Sequence, residues 1–506
     1  MPEATPAILD FDKAIDEFRQ AVLPLINPFD QTQDMPAPEE KWDGVKLKSK
    51  EVAILQACLQ LAGHCIAILI YQLVLNQSVQ MAANVRATGK AGLSYTSEGF
   101  REVAITLIGG VEVRVPTLYK LARKARKGQG RKKKRGKRGK RQGQGFYPVL
   151  VLLGISERTT PLVRSYVTQA ATQSPSFEQA RPVVAWLGLD FSKSRIRRIS
   201  EAFCQVGLAA RAKQLTRFAS GQLPAGTALK GKRVALAVDG GRLNIRQTHR
   251  QGRKRKSGWP GYKTDWREPK LLIIYVLDEA GHKITRTDIP LVADGTLLGL
   301  AEFMKILEMQ LHQLGLAQAE SIVLLGDGAE WIWNNVPALL QKLGCRPAQI
   351  SQVLDNCHAT QHLYTLGEAL FGSTAGKVWA KKWAKKLKKG QAKALVNEIK
   401  HFLDNKKNKD QKTVQTEYNF FFKHQKKGRL DYADFKEQKL PIGSGVVESL
   451  IRQVVNIRLK SCSKAWLEEN AEAFLHARCQ WAVHKWSDFC NTVLTFGLNP
   501  LPTVNL

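Results

Sequence analysis

Cysteine is scarce in this chain and never appears in the spacing that binds structural zinc. The eight cysteines include no Cys-x-x-Cys pair, so the sequence gives no support for a zinc finger or a zinc ribbon. The N-terminal residues show no signal-peptide pattern, and disulfide-rich secreted scaffolds have a different composition. We therefore expect a reduced, cytoplasmic protein.

Acidic residues are also under-represented relative to basic ones. The chain has 77 Lys and Arg against 44 Asp and Glu, a formal net charge of +33. No acidic residue lies between Lys120 and Arg141, where 14 of the basic residues are found. This excess favours a polyanionic partner, above all DNA. The glycine-broken segment 120–142 is expected to be a flexible linker that attracts phosphates without sequence preference.

Long uncharged runs are rare, and one segment resembles a membrane span. Residues 52–75 carry no charge, which meets the length requirement for a span. Gln56, Gln60, His64 and Gln72 recur at multiples of four and predict a polar stripe along one helix face. We interpret the segment as an amphipathic helix, either in a core or in an oligomer contact, and expect no membrane association.

At 506 residues the chain is too long for one compact core. Composition and periodicity predict five regions. They are an N-terminal arm with a helix and a hairpin at Gly109-Gly110 (1–119), the basic linker (120–142), a helical region resembling a helix-turn-helix (143–225), a catalytic domain in two pieces (231–364 and 436–490), and a lysine-rich helical insertion (365–435).

The predicted helix-turn-helix has its break at Gly188. Ser192 is a candidate N-cap for the second helix, and Arg195, Arg197 and Arg198 are expected to face outward from it. Such a helix can enter the major groove of DNA. Two helices joined by a short turn also occur in any helical domain, so both interpretations stay open.

From residue 231 the pattern reads three strands, helix, strand, helix, strand, helix. Asp278 to Gly281 separate the predicted strands 271–277 and 283–290, which is too short for a crossover helix and requires a hairpin. This order predicts a mixed sheet with helices on both faces, the ribonuclease-H-like fold.

Two predicted strands each end on an aspartate followed by glycine. The stretches are "KRVALAVDGG", with Asp239, and "SIVLLGDG", with Asp327. Asp-Gly suits a turn, but these strands would also be neighbours in the predicted sheet. Two carboxylates at close range can share divalent cations, Mg²⁺ or Mn²⁺ for oxygen ligands. Glu448, in the first turn of the helix opened by "GSGVVES", is the candidate third ligand.

The series "VDGGR", "LGDGAEWIWN", "LDNCHATQHL", "GSGVVES" and "RLKSCSKAW" resembles the DDE transposases of bacterial insertion sequences. The similarity covers about residues 145–490 and is greatest to the Kra-type group, which is related to the Mutator-like transposases. The resemblance implies that Asp239, Asp327 and Glu448 bind two metal ions. It also implies that Asp355 and His358 form a supporting Asp-x-x-His element.

The expected function is a DNA transposase of the bacterial cytoplasm, associated with the nucleoid. It would cut double-stranded DNA at element ends by metal-dependent hydrolysis, join the freed 3′-OH to target DNA and act as a homo-oligomer. A structure-selective nuclease of the same fold is the first alternative. The second is a DNA-binding protein that descends from a transposase and has no activity. The closely spaced carboxylates argue against it, because a protein that only binds DNA gains nothing from them.

Further basic residues are candidates for DNA contact. They lie in the loop after the first strand, in the insertion and after Glu448: Arg253, Lys254, Arg255, Lys256, Trp259, Lys381, Lys382, Lys385, Lys386 and Arg452. Trp379 and Trp383 are more typical of the insertion's core than of a base-stacking platform. Of the remaining carboxylates, Asp294 is expected to cap a helix, and Asp265 and Glu268 to lie in a loop.

Overall fold

The computed structural model describes residues 9–26, 43–88, 93–124, 145–248, 261–404, 410–460 and 464–497. The chain divides into two compact units, Met1–Gly207 with Ser487–Leu506 and Leu208–Trp486. The predicted catalytic residues all lie in the second unit.

The first unit combines helices with a three-stranded sheet of order β1-β2-β3. Its elements are α1 (Phe11–Ile26), α2 (Gly44–Leu75), α3 (Gln77–Thr88), β1 (Leu93–Thr106), β2 (Glu112–Lys124), β3 (Gly145–Phe146), α4 (Pro148–Leu152), α5 (Pro161–Gln173) and α6 (Phe177–Ala185). The long helix α7 (Lys193–Ala219) follows, and from Leu208 onward it belongs to the second unit. Residues 120–124 of the predicted linker are thus strand, and 125–142 lie outside the described residues.

The hairpin predicted at Gly109-Gly110 is confirmed, since β1 and β2 pair antiparallel on either side of these glycines. Gly109 has a φ of 74°, which favours glycine. A Cβ at this position would lie 2.4 Å from the carbonyl oxygen of Leu59 in α2. The lack of a side chain therefore lets the hairpin turn pack directly on the helix.

Helix α2 is the one helix in the described part of the chain that is long and apolar enough to cross a membrane. One of its faces packs into the core of the first unit through Ala67, Ile70 and Val74. The predicted polar stripe is only partly exposed, at Gln60 and Gln72. Gln56 and His64 are half-buried, while apolar residues of the opposite face such as Leu55 (44%) and Leu69 (53%) are exposed.

The second unit is built on a five-stranded sheet. Its elements are β4 (Arg233–Gly240), β5 (Leu243–Arg246), β6 (Thr264–Arg267), β7 (Lys270–Leu277), β8 (Leu291–Thr296), α8 (Leu300–Leu314), β9 (Ser321–Gly326), α9 (Glu330–Lys342), β10 (Ile350–Leu354), α10 (Asn356–Leu387), α11 (Ala392–Asp404), α12 (Gln411–Lys426), α13 (Tyr432–Glu437), α14 (Gly445–Ile451) and α15 (Glu468–Ala482). The last helix, α16 (Trp486–Gly497), belongs from Ser487 onward to the first unit.

The strand order is β10-β9-β4-β7-β8. Strands β10, β9 and β4 run parallel, and β7 is antiparallel to both β4 and β8. Every residue of β7 is buried. Because successive side chains of a strand point to opposite faces, both faces of the sheet are covered there. The mixed α/β sheet expected from the sequence is therefore present.

The second strand of the predicted 271–290 hairpin lies later than expected. Residues 283–290 form no strand, and β8 starts at Leu291. This segment is partly exposed and contains Pro290, which lacks a backbone donor, whereas "LVADGT" of β8 is almost wholly buried. Burial rather than β-branched composition selects the strand.

The shift also corrects the expectation for Asp294. This residue does not cap α8, whose N-cap is Gly299. It is a fully buried residue of β8, and its carboxylate accepts hydrogen bonds from Arg211 (2.8 Å) and His476 (3.0 Å). Arg211 also donates to Glu472 of α15 at 2.5 Å. A buried ion network thus ties α7 and α15 to the sheet edge.

The described residues of the predicted insertion, 365–404 and 410–435, are helical apart from short turns, as their composition predicts. They contain the end of α10, which bends at Gly372 (φ 78°), and the helices α11, α12 and α13. Helix α12 returns to the sheet. Its Phe420 ring lies where a Cβ on Gly328 would be only 2.7 Å away, and Lys423 pairs with Glu330 at 2.8 Å. The insertion therefore packs on the turn after Asp327.

Candidate functional site

Strand pairing places Asp239 and Asp327 side by side. Strands β4 and β9 run parallel, and their last pair joins Val238 to Gly326. Asp239 is the residue after Val238 in β4, and Asp327 directly follows Gly326, the last residue of β9. Because the carboxyl ends of parallel strands meet at one edge of a sheet, the two carboxylates converge at this edge.

The two Asp-Gly pairs differ in local structure. Gly328 has a φ of 97°, and the amide of Ala329 donates to Oδ1 of Asp327 at 2.9 Å, so a turn follows this aspartate. Gly240 instead remains in β4. A Cβ on Gly240 would lie 2.5 Å from Oε1 of Glu268. A turn therefore explains only one of the pairs, while both carboxylates share one edge.

A cleft of about 490 Å³ opens beside these carboxylates. Asp239, Asp327 and Glu268 line its acidic part, and Arg242 and Lys460 contribute positive charge. A cleft with acids together with lysine and arginine suits a phosphate-containing substrate held next to bound cations.

The pKa of Asp239 is raised to about 7. Burial is the largest cause and the charge of Asp327 the second, while the amide of Gly240 and the charge of His358 oppose the shift. Glu448 adds a smaller increase. The negative charges of the three predicted ligands are thus close enough to repel, which is the condition that a divalent cation relieves.

Glu448 lies in the first turn of α14, as expected, and Oγ of Ser444 donates to its carboxylate at 3.3 Å. Ligand atoms of Glu448, Asp355 and Cys357 lie within 4.8 Å of one another. Burial and the charges of Asp355 and Glu448 raise the pKa of the Cys357 thiol. The thiol therefore stays protonated at neutral pH, and carboxylates are the available ligands.

Asp355 connects the two helices that carry site residues. Its carboxylate accepts from the amides of Cys357 and His358 at the start of α10 and from the amide of Ser444 (2.8 Å) before α14. Burial alone would raise the pKa of Asp355, but these bonds and the one to the His358 ring lower it. Since these donors use both of its oxygens, Asp355 positions Glu448 and His358.

His358 is hydrogen-bonded to Asp355 and lies within range of the charges of Asp327 and Asp239. Its Nδ1 is 2.7 Å from Oδ2 of Asp355. This hydrogen bond is the main reason that the pKa of His358 is raised; burial opposes it, and the charges of Asp355, Asp327 and Asp239 reinforce it. The structure thus brings the predicted supporting pair next to the predicted ligands.

Sequence reasoning missed several residues of the cleft. Glu268, expected in a loop, is held near Asp239 because Lys270 pairs with Gly240 across the sheet, and Nζ of Lys270 donates to Glu268 at 2.9 Å. The strand register could have placed it. Asn456 and Lys460 also line the cleft, and no sequence signal pointed to them.

The predicted outward orientation is wrong for Arg195. Its guanidinium lies 3.9 Å from the centroid of the Phe191 ring and donates to Thr106 at 2.8 Å. Arg197 and Arg198 are exposed as expected, although Arg198 pairs with Glu157 at 2.5 Å. Ser192 does accept from the Arg195 amide, at 3.3 Å, as the predicted N-cap.

The basic loop after β4 is described only at its base. Arg253, Lys254, Arg255, Lys256 and Trp259 lie outside the described residues. The base is an antiparallel hairpin of β5 and β6. Asp265 is therefore a strand residue rather than a loop residue, and β6 is exposed throughout, with Trp266 at 52%.

The two tryptophans of the insertion are packed, as their spacing indicated. The indole nitrogens of Trp379 and Trp383 each donate to Oε1 of Glu398 at 2.8 Å. Lys386 is half-buried with its Nζ 4.5 Å from the Trp383 ring centroid. The remaining candidate lysines of this helix and the candidate after Glu448 are exposed: Lys381, Lys382, Lys385 and Arg452.

Replacing Asp239 by asparagine should stabilise the metal-free protein at high pH. Because the pKa of this carboxyl rises from 3.8 to about 7 on folding, the free energy of unfolding of the wild type falls as pH rises between these values. The gain in free energy of unfolding from Asp239→Asn should be absent near about pH 4, grow toward pH 7 and level off above it, at roughly 2–4 kcal/mol. Urea unfolding in EDTA at several pH values measures it.

The matched control is the same titration with Mn²⁺, which should stabilise the wild type and remove the variant's advantage. If the gain in free energy of unfolding from Asp239→Asn were equal at about pH 4 and pH 8, the charge of Asp239 would not be what destabilises the fold.

A comparison of the chain with protein-family models finds no match, and a comparison with curated proteins finds no significant match either. The function of this site is therefore argued from its own geometry and chemistry.

Proposed function

We propose that this protein is a DDE-type DNA transposase with a ribonuclease-H-like catalytic core. The observation that carries the proposal is the convergence of Asp239 and Asp327 in a cleft that also contains Arg242 and Lys460, with the charge of Glu448 close enough to act on Asp239. The chain's net charge of +33 supports a polyanionic substrate.

The sheet supports the choice of fold. Three antiparallel strands are followed by two parallel ones, and the fourth strand in sequence lies beside the first. This arrangement agrees with the ribonuclease-H-like order expected from the sequence. It brings two strand-end carboxylates together and leaves the helix with Glu448 to supply the third.

The carboxylates fit divalent metal ions. Hard oxygen ligands select Mg²⁺ or Mn²⁺. Burial raises the pKa of Asp239 most and the charge of Asp327 next, and a divalent ion would neutralise that charge. Asp239, Asp327 and Glu448 would hold the metal, in our proposal as two ions. When bound, the ions would activate the attacking oxygen and stabilise the leaving oxygen of a phosphodiester displacement.

The protein groups around the carboxylates have separate tasks. Asp355 fixes the starts of α10 and α14 through its hydrogen bonds. His358, held by Asp355, supplies positive charge near Asp327 when protonated. Arg242 and Lys460 line the cleft, and in this proposal they would contact DNA phosphates there.

The DNA partner would contact basic surfaces beyond the cleft. In the described part of the chain these include the exposed lysines of α10 and the exposed strand β6, where Arg242 lies 5.8 Å from the Trp266 ring centroid. Segment 120–142 would add phosphate attraction without sequence preference. Assembly as a homo-oligomer and a place in the bacterial cytoplasm at the nucleoid belong to the same proposal.

The test is cleavage and joining by the full-length protein. Duplexes taken from the DNA that flanks its gene are incubated with Mg²⁺ or Mn²⁺ and a target plasmid. We expect metal-dependent cuts at one position with 3′-OH ends, followed by covalent joining to the plasmid. Cutting without joining would indicate a nuclease of this fold instead. Binding without any cutting would indicate a DNA-binding protein without activity.

A further inference from the structure

The helix that carries Glu448 does not continue as a regular α-helix. Helix α14 ends at Ile451, and Arg452–Asn456 form a π-helical turn. The amide of Ile457 donates to the carbonyl of Arg452 at 3.0 Å, and that of Lys460 to the carbonyl of Val455 at 2.8 Å. Both bonds span five residues rather than four, and such turns often occur at functional sites.

The extra residue changes which side chains share a face with Ile451, the last residue of α14, which lines the cleft. In an uninterrupted α-helix of about 3.6 residues per turn, Val455 and Leu459 would follow Ile451 on one face. Here Val455 and Leu459 are fully buried. Asn456 and Lys460, each one position later, line the cleft with Asp239 and Asp327. The π-turn therefore brings a lysine to the cleft that regular geometry would turn away.

A buried arginine holds this turn. Arg478 of α15 is 1% exposed, and its Nε donates to the carbonyl of Val454 at 2.7 Å, while Nη2 donates to the carbonyl of Gln453. A π-turn leaves carbonyls without their regular helical partners, and Arg478 satisfies two of them. Helix α15 is itself fixed to the sheet edge, because Glu472 accepts from Arg211 and from the amide of Leu297.

We propose that Lys460 contacts a DNA phosphate next to the bond being cut, and that Arg478 is a positioning residue that maintains the π-turn which places Lys460 there. The inference rests on the proposed function, since it assigns a substrate contact within the same cleft. A flexible lysine acts as a point charge on phosphate, and Asn456, one turn earlier, lies along the same side of the cleft.

The test compares Lys460→Ala with Lys436→Ala. Both changes remove one exposed lysine charge from the second unit, but only Lys460 lines the cleft. At saturating protein, Lys460→Ala should slow single-turnover cleavage about 10-fold to 100-fold, as expected for a lost hydrogen bond to a charged group. Lys460→Arg should recover most of the rate, and Lys436→Ala should stay within about threefold.

A chemically altered substrate separates contact from fold stability. Neutral methylphosphonates are placed in turn at the phosphates beside the cut. One of them should slow the wild type and Lys436→Ala equally while leaving the rate of Lys460→Ala unchanged, because the contact it removes is already absent. If every methylphosphonate that slows the wild type also slowed Lys460→Ala, the proposed contact would be wrong.

The role of Arg478 is tested in combination. Arg478→Lys should slow cleavage, and adding Lys460→Ala should cause little further loss, because Lys460 is then already displaced. If the reductions in cleavage rate of the two single variants multiply in the double variant, Arg478 acts only on the stability of the fold and does not position Lys460. Wild-type rates for Lys460→Ala would overturn the contact while the proposed function stood. Absence of cleavage by the wild type with any divalent cation would overturn the proposed function itself.

Discussion

Asp327→Asn should slow DNA cleavage at least about a thousandfold, and Asp239→Asn and Glu448→Gln should do the same. Each change removes a negative charge that the proposed metal ions require, while the side chain keeps its shape. DNA affinity should be unchanged or tighter, because carboxylates repel phosphate. Single-turnover rates in Mn²⁺ and binding titrations in EDTA measure the two effects.

Asp265→Asn is the matched control. This carboxylate lies in the exposed strand β6 and pairs with Arg267 at 3.6 Å, and it does not line the cleft with Asp239 and Asp327. Its loss should leave the rate within about threefold. If Asp327→Asn cleaved DNA at the wild-type rate, Asp327 would hold no ion needed for the chemistry, and the proposed metal site would be wrong at that position.

The order of strands and helices in the second unit was predictable because each element has a local signal. Buried strands appear as apolar runs, and helices as amphipathic stretches. The meeting of Asp239 with Asp327 then follows from strand order alone, since parallel neighbours end at the same edge. Glu448 at a helix start was readable from the Gly-Ser-Gly break before it.

The remaining features depend on contacts distant in sequence. Asp294 looked like a helix cap because nothing local shows that Arg211 and His476 reach it within β8. Arg195 looked exposed because its partner Thr106 lies 89 residues away. Lys460 reaches the cleft only through a π-turn that Arg478 holds from another helix. The periodicity of side chains along the sequence does not predict such distant partners.

Loss of Arg211 should have the largest effect on stability. Its guanidinium is 5% exposed and pairs with Asp294 and Glu472, whose side chains are 0% and 2% exposed. Arg211→Met would leave two buried carboxylates without their cation. We expect a loss of roughly 3–5 kcal/mol, which corresponds to a fall in melting temperature of roughly 6–15 °C for a unit of this size.

The loss should depend on pH in a defined direction. Burial alone would raise the pKa of Asp294, but Arg211 and His476 hold it well below its ordinary value. This group therefore stabilises the wild type above the unfolded pKa of about 4, and the contribution disappears as pH falls through the lower folded value. In Arg211→Met the carboxyl can take up a proton, so the difference from wild type should shrink as pH falls from about 7 to 4.

Two further variants show whether the uncompensated charges cause the loss. Adding Asp294→Asn and Glu472→Gln to Arg211→Met should recover part of the stability, because the orphaned charges are removed together. Arg286→Met breaks an exposed pair with Asp288 (73% and 59% exposed) and should leave the melting temperature within about one degree. Equal losses in Arg211→Met and Arg286→Met, or no recovery in the triple variant, would mean that Arg211 stabilises the fold through packing rather than through its buried charge.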